Sequence, residues 1–201
     1  MKKKDVKIMI FELIESSLIQ KGSLNVLIAG GTRAGKSTLA KKINSEFCSK
    51  YPVTIVKQDN YFKNIRDIPT DGTRHIFDSI NAFHVEEFIK DVKSLISGKT
   101  ILSPRYDKPS NTRIANDNVL APGKINIIEG LHTILLLGDD ERFFRLYLDT
   151  NLETTLERRI ARDTVVDNVS PQEVIFYFNN YVLPMYKKYV LPQKSLAHLI
   201  I

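Results

Sequence analysis

The stretch Gly30-Gly31-Thr32-Arg33-Ala34-Gly35-Lys36-Ser37-Thr38 constrains this chain more than any other, because it fits the spacing G-x-x-x-x-G-K-[ST] without a mismatch. Its flanks fit as well. Leu24 to Ala29 is a short apolar run with valine and isoleucine, the pattern of a strand buried on both faces. From Ser37 to Lys50, apolar Leu39, Ala40, Ile43 and Phe47 recur at helical spacing. Strand, glycine turn and helix together make backbone N–H groups converge on one anion. Gly30, Gly31 and Gly35 allow conformations that side chains would block, so the loop amides face inward. The helix that follows adds unsatisfied donors and a positive dipole end. Lys36 is expected on the β- and γ-phosphates of a bound nucleotide, and the Ser37 hydroxyl on Mg2+.

The rest of the chain reads as strands alternating with helices. Ahead of the first strand, Val6, Met9, Ile10, Leu13, Ile14 and Leu18 form an apolar stripe that Gly22 ends. Such a stripe serves a membrane or partner helix, or a helix packed on the domain's own sheet; pattern alone favours the second. Pro52 opens a second strand, Val53 to Lys57, with Gln58-Asp59-Asn60-Tyr61-Phe62 at its carboxyl end. Ligands of open parallel sheets bind beyond the carboxyl ends of the strands. Asp59 there either accepts a proton from an attacking hydroxyl or closes a turn, and position leaves both open.

Residues 63 to 82 look irregular, and Phe83 to Ile96 is an amphipathic helix stopped by Gly98. Ser103 to Pro122 is polar and too long for a plain connection, which suggests a substrate-side loop or hairpin. Ile125 to Ile128 is a buried strand ending in Glu129, a candidate metal carboxylate. Arg145 to Leu148 is the fourth strand, and Thr150 or Asn151 caps the helix after it. That helix carries Arg158, Arg159 and Arg162, which read either as a solvated basic face or as a clamp on transferring phosphate. Ser170-Pro171-Gln172-Glu173 starts a further helix, which Pro184 should kink or restart. His198 to Ile201 is the fifth strand. The pattern predicts an α/β fold of three layers, a five-stranded parallel sheet with helices on both faces.

Composition excludes several alternatives. The 201 residues suit one domain, and a hydrophobic share of 43% with 26% charged residues is ordinary for a globular chain. The net charge of +6 is spread out; its only run, Lys2-Lys3-Lys4, suits a solvated terminus, and no interleaved aromatic pattern argues for nucleic acid. Single Cys48 excludes an intrachain disulfide, suits a reducing compartment, and is expected half-buried late in the first helix of the nucleotide unit. No apolar run approaches the roughly 20 residues of a membrane span, and no secretory signal is read. A cytoplasmic location without a membrane partner is expected. The four histidines His75, His84, His132 and His198 show no metal-ligand spacing, and no Ser/His/Asp arrangement is read.

Taken in order, these segments resemble the uridine kinase/phosphoribulokinase family, from about Leu24 to Ile201. Gly30 to Thr38 matches its nucleotide loop, and Asp59-Asn60-Tyr61-Phe62 its Asp-x-aromatic-aromatic segment, whose aspartate is the general base. Phe77-Asp78-Ser79-Ile80-Asn81-Ala82-Phe83 is similar to its F-D-x-P-x-A-F segment, so Asp78 would hold ribose hydroxyls and Phe77 would line the pocket. Pro104 to Arg113 resembles the P-x-Y-D loop, with Tyr106 against a nucleobase. Glu129-Gly130 and Arg158-Arg159-Ile160-Ala161-Arg162-Asp163 match the family's E-G pair and the helix that starts its lid. The resemblance implies a P-loop NTPase fold, with residues 1–22 as a helix packed on a kinase domain at 23–201 and a lid at about 158–170.

It also implies the chemistry. ATP would lie on Gly30 to Thr38 with Mg2+ on Ser37 and Glu129, Asp59 would deprotonate a small-molecule acceptor, and Lys36, Arg159 and Arg162 would stabilise transferring charge. The implied acceptor is the 5′-hydroxyl of uridine or cytidine, and the family allows a homo-oligomer. This chain departs from the pattern at the acceptor and the lid. Lys108 stands where uridine kinases place an aromatic beside the base, and Asn111 where a histidine reads the pyrimidine. Asp167 and Val169 replace lid arginines, and Tyr177 a glutamine near the ribose. Losing the aromatic removes stacking worth roughly 0.5–1.5 kcal/mol, and losing two guanidiniums weakens the hold on ATP. A kinase of another small alcohol, and an ATP-binding regulator with little turnover, are the competing expectations.

Overall fold

The computed structural model describes residues 3–201, with side chains from residue 8 onward; Lys2, and the side chains of Lys3, Lys4 and Val6, lie outside the described residues. In chain order the elements are α1 (Lys3–Lys21), β1 (Leu24–Gly30), α2 (Lys36–Phe47), β2 (Val53–Lys57), α3 (Val85–Ile96), β3 (Ile101–Asp107), β4 (Thr112–Leu120), β5 (Ile125–Glu129), α4 (Thr133–Leu137), β6 (Phe143–Leu148), α5 (Leu152–Val166), α6 (Pro171–Tyr177) and β7 (Leu199–Ile200). Five strands form one parallel sheet in the order β2-β5-β1-β6-β7, and β3 and β4 form a separate antiparallel hairpin. The expected three-layer α/β fold with a five-stranded parallel sheet is the observed one.

Strand alternation builds the layers. From β1, Val26 and Ile28 face a core shared with Ile10, Ile14 and Leu18 of α1 and Ala40, Ile43 and Phe47 of α2. Leu27 and Ala29 face the opposite core, with Phe88, Val92 and Leu95 of α3 and Ile134 and Leu137 of α4. The register aligns Lys57 of β2 and Ile28 of β1 with Glu129 of β5, and Gly30 of β1 with Leu148 of β6. The carboxyl ends of four strands therefore share one edge, and the chemistry-bearing residues issue from it. Among the described residues, no helix is long and apolar enough to cross a membrane.

Three local expectations change. Cys48 is exposed at the C-terminal cap of α2, because the apolar face of that helix turns Phe47 inward and the next residue outward. Phe83 does not open α3; it stacks on Phe62, with ring centroids 4.2 Å apart, and the helix begins at Val85. Pro184 neither breaks nor restarts the last helix. α6 runs on through Phe178–Val182, Leu183–Met185 and Tyr186–Val190, and the first and last of these are π-helical turns. Wider π turns on both sides of the proline absorb its missing N–H within a continuous helix.

Candidate active site

The loop between β1 and α2 is shaped by three backbone positions in the left-handed half of φ: Gly30 at 149°, Arg33 at 58° and Gly35 at 99°. A Cβ on Gly30 would lie 2.6 Å from the Leu148 carbonyl oxygen, so glycine is the only residue that fits there. Gly35 caps α2 and turns the helix N-terminus toward the loop's interior. The Tyr186 ring closes against Gly31, where a Cβ would meet it at 3.4 Å. Thr32 lies beside Gly31 on a small apolar gap with Asp78 and Val190, Ala34 is buried, and Thr38 is exposed on the first turn of α2.

Lys36 curls back along the loop and donates to the carbonyls of Gly30 (3.0 Å) and Gly31 (2.8 Å). Burial pulls its pKa down, opposed by the carboxylates of Glu129, Asp59 and Asp78. Ser37 donates to Glu129 Oε1 at 2.7 Å. Burial pushes Glu129 up, and the charge of Asp59 adds to that. Asp78 is likewise raised by burial, with Arg159 and Lys36 working against it. Asp59 leaves the end of β2 on a single 3-10 turn, and Lys108 from the hairpin turn sits 3.3 Å from its Oδ2. These contacts and mutual fields gather Lys36, Ser37, Asp59, Asp78, Lys108, Glu129 and Arg159 around one loop.

A second group lies beside them. Phe62 is ringed by Phe77 (5.9 Å), Phe83 (4.2 Å) and Tyr106 (5.2 Å), and the Tyr106 hydroxyl donates to Asn111 Oδ1 at 3.4 Å. Burial raises the Tyr106 hydroxyl. Arg159 holds Asp163 at 3.2 Å and lies over the Tyr177 ring at 5.2 Å. The Tyr177 hydroxyl donates to the His75 carbonyl at 2.6 Å, so Tyr177 ties the arginine helix to the loop leading to Phe77 and Asp78. Arg162 is spent on Asp163 (2.5 Å) and Asp167 (3.5 Å). Asp167 thus supplies a counter-charge to Arg162.

The sequence places Asp163 at the end of the Arg158–Asp163 segment but assigns it no role. Its carboxylate is buried and faces Arg159, Arg162 and, at 3.8 Å, Arg33 of the phosphate loop. Arg158 adds a hydrogen bond to the Arg33 carbonyl at 3.1 Å. The single acidic residue in an arginine-rich turn was the available signal.

The donor set suits a hard cation held with a nucleotide. Ser37 and Glu129 offer two adjacent oxygen ligands, and among the described residues no three His, Cys, Asp or Glu side chains converge on a metal site. Mg2+ takes one or two protein ligands and completes its shell with phosphate and water.

The family model described as the phosphoribulokinase/uridine kinase family matches residues 26–201. The chain belongs to that family. A uridine kinase of Clostridium perfringens is 31% identical over 180 residues, covering 87% of this chain and 84% of the relative. Among solved structures, a possible uridine kinase from Bacillus stearothermophilus superposes with a TM-score of 0.66 at 18% identity, covering 98% of this chain and 99% of that one. D-glycerate 3-kinase from Cryptococcus neoformans gives 0.62 at 13% identity, covering 92% of this chain and 88% of that one. These two structures share the fold with this chain. As a member of the family, the chain is a phosphotransferase with an alcohol acceptor, a small-molecule kinase of the P-loop type.

Proposed function

We propose that this family member transfers the γ-phosphate of ATP, with Mg2+, to the 5′-hydroxyl of uridine or cytidine. The observation that carries the reading is the Ser37–Glu129 hydrogen bond beside the phosphate loop, with the Asp59 carboxylate at the neighbouring strand end. The similarity to uridine kinases supports the nucleoside acceptor.

The loop amides and the N-terminus of α2 would bind phosphate oxygens. Lys36 would exchange its carbonyl partners for those oxygens, and Ser37 with Glu129 would hold the metal. Bound Mg2+ supplies charge neutralisation across the β- and γ-phosphates. Asp59 would accept the acceptor's proton at a carboxylate oxygen, Asp78 would accept hydrogen bonds from its other hydroxyls, and Arg159 would stabilise charge in transit. The Phe62–Phe77–Tyr106 group offers an apolar wall for a base.

A coupled ADP-release assay with Mg·ATP and separate acceptors tests the reading. Turnover on uridine or cytidine is expected, with Asp59→Asn lowering it by at least about 10²-fold while nucleotide affinity stays near normal. Unchanged turnover in that variant would remove Asp59 as the base. The Lys108–Asp59 contact favours a second reading, an acceptor whose anionic or carbonyl group draws the ammonium away. Both side chains are substantially exposed, so their pairing is weak and easily displaced. Silence on both nucleosides, with ATP binding intact and turnover on another alcohol, would select it.

A further inference from the structure

Glu129 is the last ladder residue of β5, paired with Lys57 of β2, whereas Asp59 stands two residues past Lys57, beyond the end of β2. The ladder thus holds Glu129, but no ladder pair includes Asp59. A side-chain contact joins the segment of Asp59 to the segment that follows Glu129. Gln58, the residue before Asp59, reaches across to the turn that follows Glu129. Its Oε1 accepts the His132 backbone N–H at 2.9 Å, and its Nε2 lies 3.3 Å from His132 Nδ1.

The contact is buried and closely packed. Gln58 is 1% exposed and His132 is fully buried. Gly130 passes directly beneath the amide; a Cβ there would lie 2.4 Å from the Gln58 Cβ and closer still to Oε1. The amide orientation fixes the imidazole tautomer. With Oε1 committed to a backbone donor, the Gln58 NH2 faces Nδ1, which must be the bare, accepting nitrogen. The proton then sits on Nε2, which has no well-formed hydrogen bond and faces the Asp78 backbone carbonyl. Burial pushes the ring's pKa down to about 4, so it stays neutral and keeps that tautomer at neutral pH. Phe83 and Tyr189 pack edge-on against the ring, at 5.5 and 5.8 Å, and hold its plane.

We propose that Gln58 and His132 are positioning residues, a two-bond clamp between strand ends that sets where the Asp59 and Glu129 carboxylates stand relative to each other. The proposal rests on the kinase reading for the roles of those carboxylates. Neither clamp residue touches a reacting atom. Their removal should leave nucleotide affinity intact and harm the steps that need both carboxylates in register.

The test uses the full chain and three variants. Gln58→Met keeps the volume and loses both bonds; His132→Phe keeps a ring and loses the accepting nitrogen; His132→Asn returns an acceptor near the place of Nδ1. Histidine-labelled protein reports the tautomer by long-range 1H–15N correlation, with a bare Nδ1 expected in the wild type and a shifted Nδ1 resonance in Gln58→Met. AMPPNP affinity, by calorimetry, is expected to stay within about 3-fold in all variants. Turnover should fall about 10–100-fold in Gln58→Met and His132→Phe, the range for lost outer-shell partners, and largely recover in His132→Asn.

Should no acceptor be turned over, Mn2+ binding to the protein–AMPPNP complex, followed by water proton relaxation, replaces the kinetic arm. It is expected to weaken about 10-fold in the first two variants only. Wild-type turnover and Mn2+ affinity in Gln58→Met and His132→Phe would overturn the clamp. So would parallel losses of melting temperature and nucleotide affinity without recovery in His132→Asn, because those mark a merely structural bond. A wild type that fails to bind AMPPNP would instead sink the kinase reading.

Discussion

Asp78 is held buried between two cations, Lys36 and Arg159, and still titrates above the usual carboxylate range because desolvation outweighs both. A carboxyl whose folded pKa is raised binds more protons folded than unfolded between the two pKa values. Stability therefore falls as pH rises through that window, and the loss is complete above the folded pKa. Asp78→Asn removes this term. Melted without ligand at neutral pH, the variant should have a higher melting temperature than wild type. The difference should shrink toward zero as pH falls below about 3, where the carboxyl is protonated in both states. A variant less stable than wild type at pH 7 would mean that the pairing with Arg159 and Lys36 outweighs desolvation. On the proposed role of Asp78 toward the acceptor, turnover should drop in the same variant.

At the scale of elements, α1 tests which segments belong to the core. Ile14 is 1% exposed between the sheet and α2, whereas Ile19, five residues on and turned to the opposite side of the helix, is 83% exposed. Ile14→Ala should cost about 2–5 kcal/mol in denaturant unfolding, and Ile19→Ala should stay within about 0.5 kcal/mol. Equal small effects would detach α1 from the folding unit. The elements that were legible in the sequence carry their signals locally. The glycine spacing of residues 30–35, the isoleucines at 125, 127 and 128 and the stripe of α3 each sit within a few residues of what they specify.

What was not legible depends on residues far apart in the chain. Tyr177 looked like a lost ribose contact, but its hydroxyl spans 102 residues to the His75 carbonyl and its ring supports Arg159. Lys108 looked like a lost stacking partner, yet its ammonium meets Asp59, 49 residues away. Pro184 signals a break by local rules, and only π turns on both sides of it keep the helix running. His132 shows no metal-ligand spacing in the sequence, and nothing local signals its contact with Gln58, 74 residues away.

Across the whole molecule, the site is assembled from segments that have no mutual contact until the chain folds. The phosphate loop follows β1, Asp59 follows β2, Glu129 ends β5, and the arginines come from α5, joined to the loop through Asp163 and Arg33. A ligand that engages all of them binds the folded state alone, so its binding free energy adds to stability as RT ln(1 + [L]/Kd). At a nucleotide concentration 100-fold above Kd this is about 2.7 kcal/mol, which for a chain of this length raises the melting temperature by roughly 5–10 °C. Mg·AMPPNP should give that shift, AMPPNP with a chelator a smaller one, and Lys36→Met almost none. The chelator result isolates the Ser37–Glu129 pair, because the loop amides still bind phosphate without the metal. A full shift in chelator would leave that pair without a metal role, and no shift with Mg·AMPPNP at any concentration would refute ATP as the donor while leaving the fold assignment untouched.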